Sequence, residues 1–498
     1  MENLYYGIAV IIICLTGYFI SWKYHISNRY TLAILLLVLC GLILRIYTSC
    51  DFFLHYWDER FHALVAKNLI KHPLIPTLFD NPVLPADYQN WVGSHIWLHK
   101  QPLPLWAMAG SIKFFGINEI AIRLPSIVLS TIGIWLTYKI GSALFSQKTG
   151  YIAALLFSVN GLIIEITAGR VATDHIDVFF LFFVELAVFF SILYINRQKT
   201  IYNILVGLSI GAAILSKWLP ALIVIPVWFI LVYDSRKFKF KTIAFQLSVI
   251  IFACLLVFMP WQIYIYSVFP REAQWEAGFN IKHITEALEG QTGPFYYFLN
   301  QIRINYGELI YLPLIWFIWK SFKGKYDLRR IALLIWFIIP LIFFSLAKTK
   351  MQGYLLFSSP ALFIITADFW TKLNEFRKNN RYNRLYIIIL FLLIALPLRY
   401  TVERIKPFEK ESRSPLWVKQ LNIINNMGIK KGVLFNYDNN IEAMFYTNLT
   451  AYNYIPDRKT IMYLMDNQYN VIINDNGGIP DEIKDIKGII RIDLIKSD

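Results

Sequence analysis

Cys50-Asp51-Phe52-Phe53-Leu54-His55-Tyr56-Trp57-Asp58-Glu59-Arg60-Phe61-His62-Ala63 follows directly on an apolar span at residues 31–48 and opens a loop running to about residue 121. Asp51, Asp58, Glu59, Arg60, His55 and His62 thus stand at the exit of a segment long enough to cross a bilayer. Ionisable groups cost free energy at such a boundary, so a concentration of them points to a site. Asp58 and Glu59 are adjacent and point in different directions on any regular element, so one can work while the other braces the backbone. The plain alternative is an ordinary wet loop.

The rest of the composition agrees with a membrane setting. Of 498 residues, 57% are hydrophobic and 17% aromatic, which excludes an ordinary soluble domain. Mean hydropathy is +0.48. The net charge of +15 belongs to cytoplasmic loops and anionic headgroups in such a protein, and implies no nucleic-acid partner. Cys14, Cys40 and Cys254 lie inside apolar runs and Cys50 at a span's end, so disulfides are no part of the design.

Apolar runs cover roughly residues 4–22, 31–48, 122–141, 150–168, 174–194, 201–216, 218–233, 243–265, 307–320, 331–347, 352–370 and 384–400. The expected fold is an all-α polytopic membrane protein of about twelve or thirteen transmembrane helices, residues 1–400, with a small soluble α/β domain at 401–498. Residues 4–22 are preceded by Glu2 without Lys or Arg and lack a small-x-small cleavage site, so an uncleaved helix is expected. The pair at 201–233 is interrupted by Ser216-Lys217-Trp218-Leu219-Pro220, the pattern of a broken or re-entrant hairpin.

Basic residues collect on alternate loops: Lys23/Arg29, Lys148, Arg197/Lys199, Arg236 to Lys241, Lys323/Lys325/Arg329/Arg330 and Lys372 to Arg384. By the positive-inside rule these loops face the cytoplasm. The first large loop (49–121), the loop at 266–306 and the tail then face outward. Arg60, Lys100, Arg170, Lys217, Arg271, Lys348 and Lys350 defy this sorting, and a lipid phosphate at the outer headgroup level would give the set a partner. Each alone is equally explained by snorkelling or a nearby acid.

Within the first loop, residues 59–71 read as a short amphipathic helix and 103–116 as an apolar helix lying in the interface. Asp174 and Asp177 stand three apart at a helix start, on one face near its positive end, where Asp174 also suits an N-cap. In the tail, 432–437, 469–474 and 488–495 read as strands, 416–427 and 457–467 as helices, with a turn at Asp475-Asn476-Gly477-Gly478. His55, His62, His95, His99 and His283 form no recognisable metal motif, and a divalent ion shared across loops stays open.

An ordered set of residues resembles a known family. Trp57-Asp58-Glu59-Arg60, His99-Lys100-Gln101-Pro102-Leu103-Pro104-Leu105-Trp106, Arg123-Leu124-Pro125-Ser126, Arg170 with Thr173-Asp174, Leu215-Ser216-Lys217, Pro260-Trp261, and Lys350 with Tyr354-Leu355-Leu356 follow one another as in the GT-C membrane glycosyltransferases. Within that class the chain is similar to the bacterial branch holding the aminoarabinose transferase of lipid A and the relatives of protein O-mannosyltransferases. The resemblance implies a polyprenyl-phosphate sugar donor, a lipid, glycan or protein acceptor, and a site on the periplasmic face of the bacterial cytoplasmic membrane. It makes Asp58 the catalytic carboxylate, Glu59 its acidic neighbour and Asp174 a second acid. Arg60, Lys100 and Tyr354 would sit at the phosphate, with Arg170 and Lys350 as further binding cations. The family's Lys-Pro-Pro-Leu reads Lys-Gln-Pro-Leu here, and His99 stands where relatives often carry a metal-holding acid, so no cofactor is firmly implied. His99 and His283 are the metal candidates.

The chemistry asks for a base on the acceptor hydroxyl, worth on the order of 10²–10⁴ in rate, and cations for the departing phosphate. A transporter is the rival reading. It predicts acids at mid-span and repeated halves, whereas the polar residues cluster at outer ends and in loops.

Overall fold

In a bilayer every backbone N–H and C=O must be satisfied within the chain, so apolar runs of this length become helices. A computed structural model of the chain describes residues 2–172, 174–323, 326–476 and 478–495, the side chains of Glu2 and Asn379 excepted. Thr173, Lys325 and Gly477, each part of an expectation above, lie outside the described residues.

Nine helices among the described residues are long and apolar enough to span: Asn3–Ile26, Tyr30–Thr48, Glu119–Leu144, His175–Arg197, Thr200–Lys217, Phe240–Val268, Leu328–Leu346, Gln352–Phe376 and Asn383–Ile405. The chain is a multi-span membrane protein. The three other expected spans are helical but broken, each for a local reason. Residues 150–168 become Gln147–Ser158 and Gly161–Thr167, bent by 51°. There Asn160 caps the second segment through Ile163 N (3.0 Å) and donates to Asn305 O (2.8 Å). Residues 218–233 start at Trp218, whose φ of 99° stops the preceding helix; a 3-10 turn, Leu219–Ile223, and the helix Val224–Asp234 follow. Residues 307–320 start at Gly307 (φ 94°), where a Cβ would sit 2.8 Å from the Pro397 ring, and continue as Glu308–Ile310 and Tyr311–Phe322.

The residues fall into two compact units. The first comprises Met1–Ser49, Lys100–Pro104 and Pro125–Lys410 and holds the long helices. Small residues set its closest approaches: a Cβ on Gly207 would lie 2.4 Å from Ile250 O, and one on Gly211 2.6 Å from Val257 Cβ. These two glycines, four apart, let Thr200–Lys217 pack backbone to backbone on Phe240–Val268.

The second unit comprises Cys50–His99, Leu105–Leu124 and Glu411–Asp498. This differs from a border at 400/401. The helix Asn383–Ile405 runs past that point, and the tail shares one core with the first loop. Phe61, Leu64 and Val65 of the helix Asp58–Leu69 and Leu105, Met108 and Ile112 of Pro102–Phe115 are buried with the tail's strands. The segment 103–116 is thus helical as expected, with one face in a protein core and Phe114 and Phe115 exposed at its end. The strands β1 (Gly432–Phe435), β2 (Thr450–Ala451), β3 (Asn470–Asn474) and β4 (Ile490–Ile492) form a parallel sheet in the order β2-β1-β3-β4. Val433 pairs with Thr450 and Val471, and Ile473 with Arg491. The helices Leu416–Asn426 and Arg458–Asp466 match the expected ones, whereas Asn440–Tyr446 is an addition.

Lys67 ties loop to tail. Its ammonium donates to the carbonyls of Met444 (2.7 Å), Phe445 (2.9 Å) and Thr447 (2.7 Å), the acceptors left over where Asn440–Tyr446 ends. Lys67→Met leaves them without that donor, and the expected loss is about 1–3 kcal/mol of stability, read as a lower thermal melting point of the purified full chain.

Candidate active site

The quoted stretch turns into its helix through strain. Trp57 has φ 64° and ψ −138°, and Asp58 is the first residue of Asp58–Leu69, at the positive end of its dipole. A left-handed aromatic residue costs on the order of 1–3 kcal/mol and persists only where its surroundings enforce it. Enforcement comes from Glu59. Its carboxylate is buried and takes Arg123 Nε (2.7 Å) and Nη2 (2.9 Å) in a fork, with the backbone N of His55 (2.7 Å) on the same acid. Arg123 also donates to the carbonyls of Asp51 and Phe53. His55 lies between Glu59 Oε2 (2.7 Å) and Asp51 Oδ2 (3.1 Å), and Arg413 stands 3.5 Å from Asp51. Glu59, expected beside the catalytic acid, is therefore the bracing member of the pair, and Asp58 opens the helix.

Arg60 has a partner of its own: Glu442, at 3.2 Å, beneath a guanidinium lying 4.1 Å over the Tyr56 ring. Burial pushes Glu442 up from the usual carboxylate range while Arg60 pulls it back. Two other expected binding cations lie at helix ends. Lys350 donates to the carbonyls of Ser345 and Ala347, each at 2.7 Å, where Leu328–Leu346 finishes. Arg170 donates to Arg404 O and Ile405 O (3.2 Å each), the last carbonyls of Asn383–Ile405. Orphan carbonyls and the negative end of the helix dipole attract cations without any substrate.

A separate cluster forms within the first unit. Asp174 caps His175–Arg197 through Ile176 N (3.4 Å), as its position suggested, and Asp177 in the first turn forms an ion pair with Lys217. Lys217 ends Thr200–Lys217, lies 5.0 Å over the Tyr354 ring, and is followed by the strained Trp218. Lys100 brings its charge to bear on Asp177, Glu276 and His283. Glu276, buried on the helix Pro270–Thr285, is held up at about 8 by burial, with Lys100 opposing. His283 is lowered by burial; the Phe279 carbonyl opposes this, and Lys100 and Lys217 add to it. Lys100 and Tyr354 of the expected set thus fall together. Asp177, Lys217 and Glu276 join them from outside it. The signal for them is in the sequence: Asp177 repeats Asp174 one turn on, and Lys217 is one of the missorted cations.

Each metal candidate has a local partner. The His99 ring stacks on Trp91 (4.4 Å, 5° between planes), and His283 Nδ1 pairs with Phe279 O (3.1 Å). No group of three or more His, Cys, Asp or Glu poised for a metal occurs among the described residues.

Glu59→Gln removes one partner of a pair whose side chains are both fully buried, and a loss of about 3–5 kcal/mol is expected. Asp58→Asn, at the positive end of the helix dipole, is expected to cost less. Melting curves of the two purified variants compare the two acids.

Residues 99–264 match the family described as dolichyl-phosphate-mannose-protein mannosyltransferase. A protein of Aquifex aeolicus, described as uncharacterized, is 28% identical over 320 residues, 63% of this chain and 58% of that one. The undecaprenyl phosphate-alpha-4-amino-4-deoxy-L-arabinose arabinosyl transferase 1 of Pseudomonas fluorescens is 26% identical over 284 residues, 54% and 48% of the two chains. The chain spans about half the length of these relatives. Among solved structures, ArnT from Cupriavidus metallidurans bound to undecaprenyl phosphate superposes with a TM-score of 0.61 at 14% identity, over 87% of this chain and 88% of that one. The oligosaccharyltransferase AglB from Archaeoglobus fulgidus, in complex with an inhibitory peptide and a dolichol-phosphate, gives 0.54 at 15% identity, over 84% and 64%. The chain therefore has the GT-C fold of the membrane glycosyltransferases that its ordered motifs resemble.

Proposed function

We propose that this protein is an integral-membrane glycosyltransferase that moves a sugar from a polyprenyl-phosphate donor to a hydroxyl of a lipid, glycan or protein acceptor. The reaction runs on the periplasmic face of the bacterial cytoplasmic membrane. The observation that carries this reading is the cluster of Lys100, Lys217, Asp177, Glu276 and Tyr354 in a GT-C fold, a site of mixed charge whose members lie outside the middle of the spanning helices.

In this reading Asp58 accepts the proton of the acceptor hydroxyl as its oxygen attacks the anomeric carbon. The bond from that carbon to the phosphate oxygen breaks, and both electrons leave with polyprenyl phosphate. Lys100 meets the charge that develops on the phosphate. Lys217, held by Asp177 over Tyr354, adds a second positive centre whose position is fixed before the donor arrives. A phosphate leaves without a general acid, so one carboxylate suffices, and a single displacement inverts the anomeric centre. Glu59, Arg60, Arg170 and Lys350 hold the scaffold.

Sugar transfer from radiolabelled polyprenyl-phosphate sugars in membranes tests the roles. Asp58→Asn is expected to lower transfer by about 10²–10⁴ with donor binding retained, and Lys100→Ala to weaken donor binding as well. Transfer at the wild-type rate by Asp58→Asn would remove Asp58 from the chemistry.

The pH dependence has a definite sign. Below about pH 8 Glu276 is neutral and leaves the Lys100 charge to the donor; above it the carboxylate offsets that charge. The donor is a phosphodiester, singly charged throughout this range. Donor affinity is therefore expected to fall as pH rises through about 8, by roughly tenfold, and Glu276→Gln to flatten the profile. Titrating donor binding between neutral and alkaline pH checks both.

A further inference from the structure

On the loops that carry the basic sorting signal, the first unit has an open-mouthed cavity of about 590 Å³ that the proposed reaction does not use. Its walls come from the end of Glu119–Leu144, the start of Gln147–Ser158, Asp234, the start of Leu328–Leu346 and the end of Gln352–Phe376. Arg330 is its most buried cation, 6% exposed, with its guanidinium 5.4–5.6 Å from the rings of Phe145, Trp316 and Phe317. Nη2 donates to Asp368 Oδ2 (2.7 Å) and Nη1 stands 3.6 Å from Asp327. Its Nε–H, buried at the same place, has no hydrogen-bond partner among the described residues. A guanidinium this deep needs every donor satisfied, and one at a helix start also opposes the helix dipole, so an acceptor from outside the chain is called for.

The charge balance says what kind. Arg329, Arg330 and Lys372 face Asp234, Asp327, Asp368 and Glu375, giving a lining of both signs with a net of one negative charge. At the mouth the signs alternate in pairs, Arg329 with Asp234 at 3.3 Å and Lys372 with Glu375 at 3.0 Å. Four carboxylates oppose a purely anionic ligand, and three cations a purely cationic one. A molecule carrying one phosphate and one primary ammonium satisfies both. By the positive-inside orientation these loops lie at the inner headgroup level, where such a molecule is abundant as a phospholipid. The volume lies within the range of small-molecule sites.

We propose that this cavity is a binding site for the headgroup of a zwitterionic aminophospholipid of the inner leaflet. The phosphate accepts from Arg330 Nε–H, and the ammonium donates to the carboxylates at the mouth. The assignment rests on the fold and its orientation and is independent of glycosyl transfer.

The test is native mass spectrometry of the purified full chain titrated with phosphatidylethanolamine or phosphatidylglycerol in detergent. Phosphatidylethanolamine is expected to be retained at about tenfold lower concentration, one charge-assisted pair's worth of selectivity. Asp234→Asn with Glu375→Gln, both at the open rim, is expected to abolish the preference without unfolding the chain, and Arg330→Gln to weaken both lipids. Equal retention of the two lipids by the wild type would overturn the proposal, as would a preference that survives the rim substitutions. Displacement of the lipid by soluble glycerophosphoethanolamine at equal concentration would move the site to a water-soluble ligand and overturn the lipid assignment.

Discussion

The buried fork between Arg123 and Glu59 is the contact on which the geometry of the first loop depends. Either charge alone would be intolerable in its buried position; together, with the carbonyls of Asp51 and Phe53 each taking a further guanidinium proton, the pair is held. The same fork fixes where the chain stops being a loop and becomes the helix Asp58–Leu69. Strain at Trp57 is then tolerable, because the residues on both sides of it are held.

Unsatisfied helix ends impose a second, more widespread constraint. Lys67, Arg170 and Lys350 each close the carbonyl end of a helix, and Asn160 and Asp174 each cap the amide end of one. A cation near a membrane boundary is therefore as readily recruited by a backbone terminus as by a phosphate. Arg60 and Lys217 are set against side-chain acids instead, Glu442 and Asp177, and the charge of Lys100 bears on Asp177 and Glu276.

Strain recurs beside that cluster. Trp57 precedes Asp58 and Trp218 follows Lys217, and both aromatics hold positive φ. Each sits where a helix meets a turn, so the backbone break aims a charged residue at a helix end, and the rigidity of the neighbouring helices maintains it. Glycines 207 and 211 supply that rigidity next to Lys217 by letting two helices touch along their backbones.

The sequence alone determined the membrane class, the positions of the apolar helices, the α/β character of the tail and the candidacy of Asp58, Lys100 and Tyr354. Each follows from local composition, periodicity or an ordered motif, which a chain carries wherever it folds. Which long runs stay straight depended on single residues, Asn160, Trp218 and Gly307, whose breaking effect is set by what packs beside them. Tertiary structure alone decided that the tail shares a core with the first loop. It also decided that Glu59 braces while Asp58 stands at the helix start, and that Asp177 rather than Asp174 holds Lys217. The last two share one physical reason: a charge is assigned by the partner it is buried against, and that partner lies 64 residues away for Glu59 and 40 for Asp177. No local pattern encodes such a distance.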